Sequence, residues 1–363
     1  MHPFTLIHAD IIDALRGIPD ATFDAIVADA PYGLSITKSR SAANWDSSAI
    51  AFDKGLWSEL RRVTKPGGIL AAFGHPRTAH RQTVALEDAG WQVFDTIAWA
   101  KSHGYQAGNR SLEKELRKTG AEALADELAG FGTHLSPAYE PISLARNLAV
   151  HGSLFQAIAN GGAGGLNHDV TRIREKDWAF RSPRADVPRT VENRSRRPGR
   201  ISESASWSIA NREEPSVPHL AGRLPGNLIV EHSEDCTEVA CDVQCHAAKL
   251  DAQGRTKYAP EKEPASRFFT RLRYSPRAQP SGRLNGGLSH PTEKPQQLLE
   301  WLAALVVRPG SNVLDPFAGS GAVSQAVLRA GADAVTAIER EETYVKLIRA
   351  RIDGIGSTAL RTF

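Results

Sequence analysis

Short apolar runs alternate along the chain with segments in which apolar residues recur every three or four positions. Residues 23–28, 69–73 and 335–339 are apolar runs of the kind found in strands covered on both faces. Residues 56–63 and 296–306 have the spacing of amphipathic helices. This alternation predicts an α/β fold with a mainly parallel sheet.

The same pattern extends over both ends of the chain but not over its middle. We predict further strands at 4–9, 91–100, 139–145 and 313–315, and further helices at 11–18, 77–89, 113–129, 322–328 and 341–352. Between residues 148 and 264 the rhythm gives way to Gly, Ser, Pro and Arg. We therefore predict that 1–147 and 265–363 form one domain, into which 148–264 is inserted as a loop-rich module.

Composition adds only broad limits to this picture. The chain has 363 residues, 41% of them hydrophobic, which is enough for a substantial core. Its 44 Lys and Arg against 41 Asp and Glu leave a net charge of only +3, so a nucleic-acid surface would require local clustering of basic residues. No stretch has the pattern of a signal peptide or a membrane span, and we expect a cytoplasmic protein without membrane contact.

A glycine turn follows the predicted strand at 313–315. It reads Asp315-Pro316-Phe317-Ala318-Gly319-Ser320-Gly321, and a helix begins directly after it. Gly319 and Gly321 allow a ligand to approach the backbone closely, and Glu339 ends the next strand, where such folds hold ribose hydroxyls. These features predict a nucleoside pocket without the third glycine of a dinucleotide site. The alternative is a turn that only connects a strand to a helix.

A second motif, Asp29-Ala30-Pro31-Tyr32, ends the strand at 23–28. The exocyclic amine of a base is a poor nucleophile because its lone pair is delocalised into the ring. Asp29 and the carbonyl of Ala30 could accept its two N–H bonds and direct the lone pair toward a methyl donor, while Tyr32 stacks on the base. Such a base must be rotated out of a duplex. The plain alternative is a turn at a strand end.

A third motif, Ser289-His-Pro-Thr-Glu-Lys-Pro295, precedes the helix at 296–306. Together the three motifs resemble those of the β class of amino-methylating DNA methyltransferases, which methylate adenine N6 or cytosine N4. The base-binding motif comes first and the cofactor turn last, which is the order of that class. The resemblance implies a doubly wound, mostly parallel, seven-stranded sheet with one reversed strand, circularly permuted relative to other methyltransferases.

The resemblance also implies a cofactor, S-adenosylmethionine, and roles for individual residues. Asp29, Ala30, Pro31 and Tyr32 would form the catalytic motif. Glu339 would hold the ribose of the cofactor, Asp10 its adenine amine, and Thr292 with Lys294 its carboxylate. The rest of the cofactor would lie against the turn, at Asp315, Pro316, Phe317, Gly319, Ser320 and Gly321.

The partner implied is double-stranded DNA, with 148–264 as the target-recognition module. An aspartate at the head of the catalytic motif favours adenine N6 over cytosine N4. Ala30 replaces the proline usual in the family, which keeps a catalytically silent DNA-binding module as an alternative, beside a methyltransferase acting on RNA or on a protein amide. The sequence leaves open whether the chain forms a homodimer and whether a restriction enzyme accompanies it.

Basic and aromatic residues are interspersed in the middle of the chain. This mixture can contact phosphates and stack on bases, but it is equally typical of a solvated Arg/Pro/Ser linker. Its members are Arg181, Arg184, Arg189, Arg194, Arg196, Arg197 and Arg200 with Trp178, Phe180 and Trp207.

Three cysteines, Cys236, Cys241 and Cys245, are crowded into one stretch. With His246 they would supply four zinc ligands, but the Cys-x2-Cys spacing of common zinc modules is absent. The adjacent side chains of Cys245 and His246 would also have difficulty turning toward the same ion. We therefore predict reduced, structural cysteines and no metal site, with a zinc site as the alternative that the sequence leaves open.

Overall fold

The computed structural model describes residues 4–34, 48–101, 110–148, 152–160, 163–173, 224–237, 240–243, 245–253, 266, 269–274 and 293–354. Within them, nine strands form one sheet in the order β1-β9-β8-β2-β3-β5-β4-β6-β7. The strands are β1 (Phe4–His8), β2 (Phe23–Ala28), β3 (Thr64–Phe73), β4 (Gln92–Ala100), β5 (Tyr139–Arg146), β6 (Leu228–Glu231), β7 (Thr270–Leu272), β8 (Asn312–Asp315) and β9 (Ala334–Glu339).

Helices of the described chain follow most of the predicted positions. They are α1 (Ile11–Arg16), α2 (Lys54–Val63), α3 (Ala79–Asp88), α4 (Leu112–Lys118), α5 (Glu122–Glu127), α6 (Leu154–Ala159), α7 (His168–Thr171), α8 (His246–Gln253), α9 (Gln296–Val306), α10 (Ala322–Arg329) and α11 (Glu342–Asp353), with a short 3-10 turn at Ile50–Phe52. None of the helices in these stretches is both long and apolar enough to cross a membrane.

Helices cover both faces of the sheet. Ala25 and Val27 of β2 pack in one apolar cluster with residues of α9 and α10. Ile26 and Ala28 point to the other face, where they pack with residues of α1, α2 and α3. This arrangement explains why β2 is apolar throughout, and it confirms the predicted doubly wound α/β fold.

One strand, β5, runs against its neighbours. It is antiparallel to both β3 and β4, whereas the other neighbouring pairs are parallel. The seven strands from β1 to β4 in the sheet order therefore match the predicted sheet with one reversed strand. Beyond them, β6 and β7 extend the sheet at the β4 edge.

The sequence pattern did not predict these two added strands. The β6 strand lies inside the segment predicted as an insertion, yet it pairs with β4 in register, Trp99 opposite Ile229. Both added strands have only three or four residues, too few for a clear alternation of polar and apolar positions. The boundaries of the insertion at 148 and 264 remain a prediction.

The predicted helix at 113–129 is instead two short helices, α4 and α5. Gly120 lies between them with a left-handed φ of +80°. A glycine in that conformation ends a helix, and the charge pattern on both sides of it carried no sign of the break.

Strands from opposite ends of the chain meet at the centre of the sheet. Ala25 and Ile26 of β2 pair with Val313 and Leu314 of β8. Asp24, buried at the beginning of β2, accepts bonds from the backbone N–H of Asn312 (2.8 Å) and from Lys65 Nζ (2.9 Å). This carboxylate therefore links three adjacent strands.

Gly67 of β3 and Gly120, which lies between α4 and α5, are a matched pair that separates backbone strain from steric overlap. Gly67 and Gly120 have nearly equal φ values of +82° and +80°. A Cβ on Gly67 would overlap the carbonyl oxygen of Ala163, whereas a Cβ on Gly120 would have no described heavy atom within 4 Å. Gly120→Ala should cost about 1–2 kcal/mol of unfolding free energy from backbone strain alone. Gly67→Ala should cost about 2–5 kcal/mol, because overpacking is added to the strain. Urea unfolding of both variants checks this, and equal losses would contradict the predicted overlap.

Candidate active site

The two motifs predicted to carry chemistry meet at the carboxyl edge of the sheet. Asp29 follows β2, Asp315 ends β8, and these strands are hydrogen-bonded neighbours. The charge of Asp29 is among the causes that raise the pKa of Asp315, after burial and the charge of Glu339. Carboxyl ends of adjacent parallel strands are where open α/β sheets bind ligands.

Lys294 binds Asp29 directly. Its Nζ donates to both carboxylate oxygens, at 2.8 Å to Oδ1 and 2.7 Å to Oδ2. The side chains are 8% and 21% exposed, so this ion pair is largely shielded from water. The family resemblance implied that Lys294 binds the cofactor carboxylate, but in this structure its partner is the aspartate of the catalytic motif.

Tyr32 lies beside a second ion pair. Its hydroxyl donates to Glu140 Oε2 at 3.0 Å, and Glu140 Oε1 accepts from Lys101 Nζ at 2.8 Å. Lys294 Nζ is 3.9 Å from Glu140 Oε2. The two carboxylates and two ammonium groups balance each other's charge around the tyrosine.

Burial and charge act in opposite directions on these carboxylates. Burial raises the pKa of Asp29 above that of a free aspartate, and the neighbouring charge of Lys294 offsets only part of the rise. Burial also raises the pKa of Glu140, but the charges of Lys294 and Lys101 outweigh it and leave the pKa below its usual value. Burial next to Glu140 and Asp29 raises the pKa of Tyr32, which keeps the phenol protonated.

The glycine turn joins β8 to α10 as predicted. Gly319 and Gly321 have positive φ values of +50° and +78°, and Gly321 is the residue that caps α10. A Cβ on Gly321 would lie 3.3 Å from the Ile348 side chain. An alanine there would therefore have a strained backbone conformation and a close contact with Ile348. The turn therefore needs glycine at this position.

Asp315 is fully buried at the beginning of this turn. Its Oδ2 accepts from the backbone N–H of Ser324 at 3.0 Å and from its hydroxyl at 2.7 Å. Its Oδ1 has no hydrogen-bond partner among the described residues. Burial raises the pKa of Asp315 to about 7, and the charges of Glu339 and Asp29 contribute to the rise.

Glu339 lies opposite the turn, at the end of β9. Its oxygens accept the backbone N–H groups of Gly319 (2.8 Å) and Glu341 (2.7 Å), and burial raises its pKa. A carboxylate has about four acceptor positions, so these two bonds leave capacity for sugar hydroxyls. Asp10, on the neighbouring strand's loop, caps α1 through a bond from the N–H of Ile12 to its Oδ1.

The other predicted site residues divide between described and undescribed parts of the chain. Ala30, Pro316 and Ser320 are buried, and Pro31 and Phe317 are half-buried. Thr292 lies outside the described residues, as do the arginines predicted to contact DNA, from Arg181 to Arg200, with Trp178, Phe180 and Trp207. Their predicted roles stay predictions.

Sequence reasoning missed four polar residues around Tyr32. Besides Glu140 and Lys101, Thr78 donates to the carbonyl of Tyr32 at 3.0 Å, and the ring of His75 lies 6.0 Å from the Tyr32 ring. Glu140 and Lys101 share a detectable signal, since each is a charged residue at the boundary of an apolar strand. Glu140 is the second residue of the reversed strand β5, so its carboxyl group reaches the same edge as the ends of the parallel strands.

A shallow surface depression lies beside Tyr32, and in this conformation it is too small to enclose a ligand. Aromatic rings of Tyr32, Phe52 and His75 line it, and Gly74 with Thr78 forms part of its wall. Burial lowers the pKa of His75, which favours a neutral imidazole there. A flat aromatic ligand suits such a lining.

The fold and site together define a class: a doubly wound α/β protein with a nucleoside-type glycine turn and an acidic motif at the carboxyl edge of the sheet. The chain belongs to the DNA methylase family, whose model matches residues 23–350. This membership confirms the resemblance noted in the sequence. S-adenosylmethionine is the methyl donor of the family.

Curated relatives match over shorter stretches. The type II methyltransferase M2.LlaDCHI of Lactococcus lactis subsp. cremoris is 28% identical over 115 residues, 27% of this chain and 42% of the relative. The type II methyltransferase M2.DpnII of Streptococcus pneumoniae is 36% identical over 69 residues, 19% of this chain and 25% of the relative. The matches thus span less than half the length of either relative.

The fold is also that of a solved structure. The PvuII DNA methyltransferase, described as cytosine-N4-specific, aligns with a TM-score of 0.51 over 98% of this chain and 88% of its own. The two sequences are 10% identical, so this likeness concerns the fold alone.

Proposed function

We propose that this protein transfers a methyl group from S-adenosylmethionine to the exocyclic amine of a base in double-stranded DNA, with adenine N6 as the favoured target. The single observation that carries the proposal is the meeting of Asp29 and the glycine turn on adjacent strands. A hydrogen-bond acceptor for the amine and a pocket for the donor are thereby brought to one edge of the sheet.

Asp29 is the acceptor for the amine in this proposal. Its carboxylate takes one N–H and the carbonyl of Ala30 the other, which directs the nitrogen lone pair away from the ring. Positive charge develops on the nitrogen as the N–C bond forms and the bond between the methyl group and the donor's sulfur breaks. A carboxylate in a shielded site stabilises this charge strongly until the methylated amine loses a proton to solvent. Lys294 can stay bound meanwhile, because each carboxylate oxygen accepts more than one hydrogen bond.

Tyr32 holds the base that has left the duplex. The Tyr32 hydroxyl is anchored by Glu140, so the ring is fixed before any ligand arrives. Aromatic rings beside Tyr32 offer stacking partners for a flipped base, whose lost stacking in DNA costs about a few kcal/mol that new stacking must offset.

S-adenosylmethionine supplies an activated methyl group on a positively charged sulfur. The residues of the glycine turn fit this cofactor, because a buried carboxylate oxygen, Asp315 Oδ1, lacks a partner among the described residues and the cofactor carries an ammonium group. Glu339 would accept the ribose hydroxyls beside its two backbone bonds. Asp10 would accept from the adenine amine.

Cofactor binding should depend on pH through Asp315. With its pKa raised to about 7, Asp315 is protonated in the free protein at lower pH, and a bound ammonium group favours the ionised form. Binding then releases a proton, so the Kd for S-adenosylmethionine should rise by up to about tenfold for each pH unit below 7.

Calorimetric titrations between about pH 5.5 and about pH 8, an interval that brackets this pKa, check this prediction. Asp315→Asn removes the titrating group, and its Kd should be weaker and nearly flat over the same interval. A wild-type Kd that does not vary with pH would refute the role of Asp315 in cofactor binding. It would not bear on the proposal that a DNA base accepts the methyl group.

The activity itself is tested with a labelled methyl donor and separate DNA, RNA and protein acceptors. We expect label in double-stranded DNA only, and nucleoside digestion followed by mass spectrometry should identify N6-methyladenine. N4-methylcytosine would correct the target base, and label in RNA or protein would replace the substrate class. Single-turnover reactions with excess enzyme distinguish slow transfer from a silent DNA-binding module.

A further inference from the structure

Four potential metal ligands converge at the end of β6, away from the candidate active site. They are His232, Cys236, Cys241 and Cys245, and their ligand atoms all lie within 4.8 Å of one another. Three strands, β3, β5 and β4, lie between β6 and β2 in the sheet. The cluster is therefore separate from the Asp29 region.

The distances between ligand atoms in the cluster fit a metal ion with tetrahedral coordination. His232 Nδ1 is 3.4 Å from the sulfur of Cys241 and 3.4 Å from that of Cys245. Zinc bonds of about 2.3 Å to sulfur and 2.0 Å to nitrogen, at tetrahedral angles, separate the two ligand atoms by about 3.5 Å. The observed spacing is close to that value.

Hydrogen bonding among reduced thiols explains the cluster less well. A neutral imidazole nitrogen offers one lone pair, so Nδ1 of His232 can accept from one thiol but not strongly from both. A single cation bound by all three atoms accounts for both short distances.

The backbone around the cluster supports thiolate ligands. Cys236 Sγ accepts the N–H of Asp242 at 3.3 Å and lies 3.2 Å from the hydroxyl of Ser233. Such donors to a sulfur are typical of the residues that surround a bound metal. Two turns, Cys236 N–H to Ser233 O and Cys245 N–H to Asp242 O, hold two of the cysteines in position.

We propose that His232, Cys236, Cys241 and Cys245 bind one zinc ion. Three thiolates and one imidazole fill a tetrahedral site without an open position, which makes it structural and not catalytic. The spacing is His-x3-Cys-x4-Cys-x3-Cys, in which the histidine precedes the cysteines. His246, the histidine that the sequence places next to Cys245, is instead exposed on the first turn of α8.

The zinc ion would link the added strands β6 and β7 to helix α8. His232 follows β6 directly, its N–H donates to Leu272 of β7, and Cys245 immediately precedes α8. Cys245 is fully buried in a small apolar cluster with Val230 and Ala247. With so few apolar residues in this cluster, a metal would supply stability that the core does not.

Metal analysis of the untagged full-length protein, expressed with added zinc and purified without chelators, tests the proposal. We expect about one zinc per chain. Cys241→Ser and His232→Ala should each lower zinc at least fivefold, whereas His246→Ala, the matched control, should retain it. Cys241 is exposed, so its replacement by serine disturbs the packing least.

Cobalt provides a second readout that does not depend on any variant folding. After zinc is removed by a chelator under reducing conditions, cobalt(II) should produce the intense visible absorption of a tetrahedral thiolate site. Wild-type protein with less than about 0.2 zinc per chain and no such spectrum would overturn the proposal. Equal zinc in folded His232→Ala, Cys241→Ser and His246→Ala proteins would overturn it too, because the bound metal would then lie elsewhere.

Discussion

Alanine in place of Asp29 is expected to slow methyl transfer by roughly 10²- to 10³-fold, the usual effect of deleting one group that stabilises transition-state charge. The loss should appear in kcat, because the charge on the amine nitrogen grows only as the new bond forms. Asp29→Asn keeps a carbonyl acceptor in nearly the same volume, and its loss should be smaller. Single-turnover rates with labelled donor and duplex DNA measure both.

The matched control for Asp29 is the affinity for S-adenosylmethionine. In the proposed site Asp29 faces the base, so the Kd of the Asp29→Ala variant should stay within a few-fold of the wild-type value. An Asp29→Ala protein that methylates DNA at the wild-type rate would refute the assignment of the catalytic centre. A protein that has lost cofactor binding as well would indicate a disturbed fold, which circular dichroism detects.

Lys294→Met should produce the second large effect, by changing the protonation of Asp29. The Lys294 charge lowers an Asp29 pKa that burial raises, so removing that charge should raise the pKa further. Because only the ionised carboxylate accepts the amine well, activity falls as pH drops through this pKa. The acidic limb of kcat/KM should therefore move to higher pH, and at pH values on that limb a shift of about one pKa unit corresponds to an activity loss of about tenfold.

Two further variants distinguish a change in the Asp29 pKa from a general loss of structure. Lys294→Arg keeps the charge and should restore the wild-type acidic limb. Lys346→Met removes the same charge from an exposed pair with Glu342 and should leave the pH profile unchanged. If Lys294→Met lowers activity equally at all pH values, Lys294 only supports the structure and does not tune Asp29.

The sequence could predict the two motifs because each is a continuous stretch whose residue types the chemistry requires. Gly319 and Gly321 adopt the positive φ that the turn needs, and Asp29 follows a buried strand as predicted. The family resemblance supplied the order of strands that brings these stretches together. It could not show what each polar atom would bind.

Contacts between residues far apart in the chain could not be predicted from the sequence, for physical reasons. Lys294 and Asp29 are 265 positions apart, and the choice between two anions as partners of Lys294 depends on their distances in the folded chain. Glu140 reaches the site because β5 is reversed, which a local pattern of apolar residues does not encode. His232 was not predicted as a ligand because it lies farther from Cys245 in sequence than His246 does, although its ring nitrogen is the one that lies with the three sulfurs in the fold.

The pairing of β2 with β8 has a consequence for biosynthesis. The carboxylate of Asp24 accepts a hydrogen bond from the backbone N–H of Asn312, which lies 288 positions later in the chain. During translation β2 therefore keeps an open edge until β8 has left the ribosome, and long-range parallel pairing of this kind is slow. A truncated or stalled chain that ends before β8 has no complete site, so we expect it to depend on chaperones and to be unable to modify any substrate.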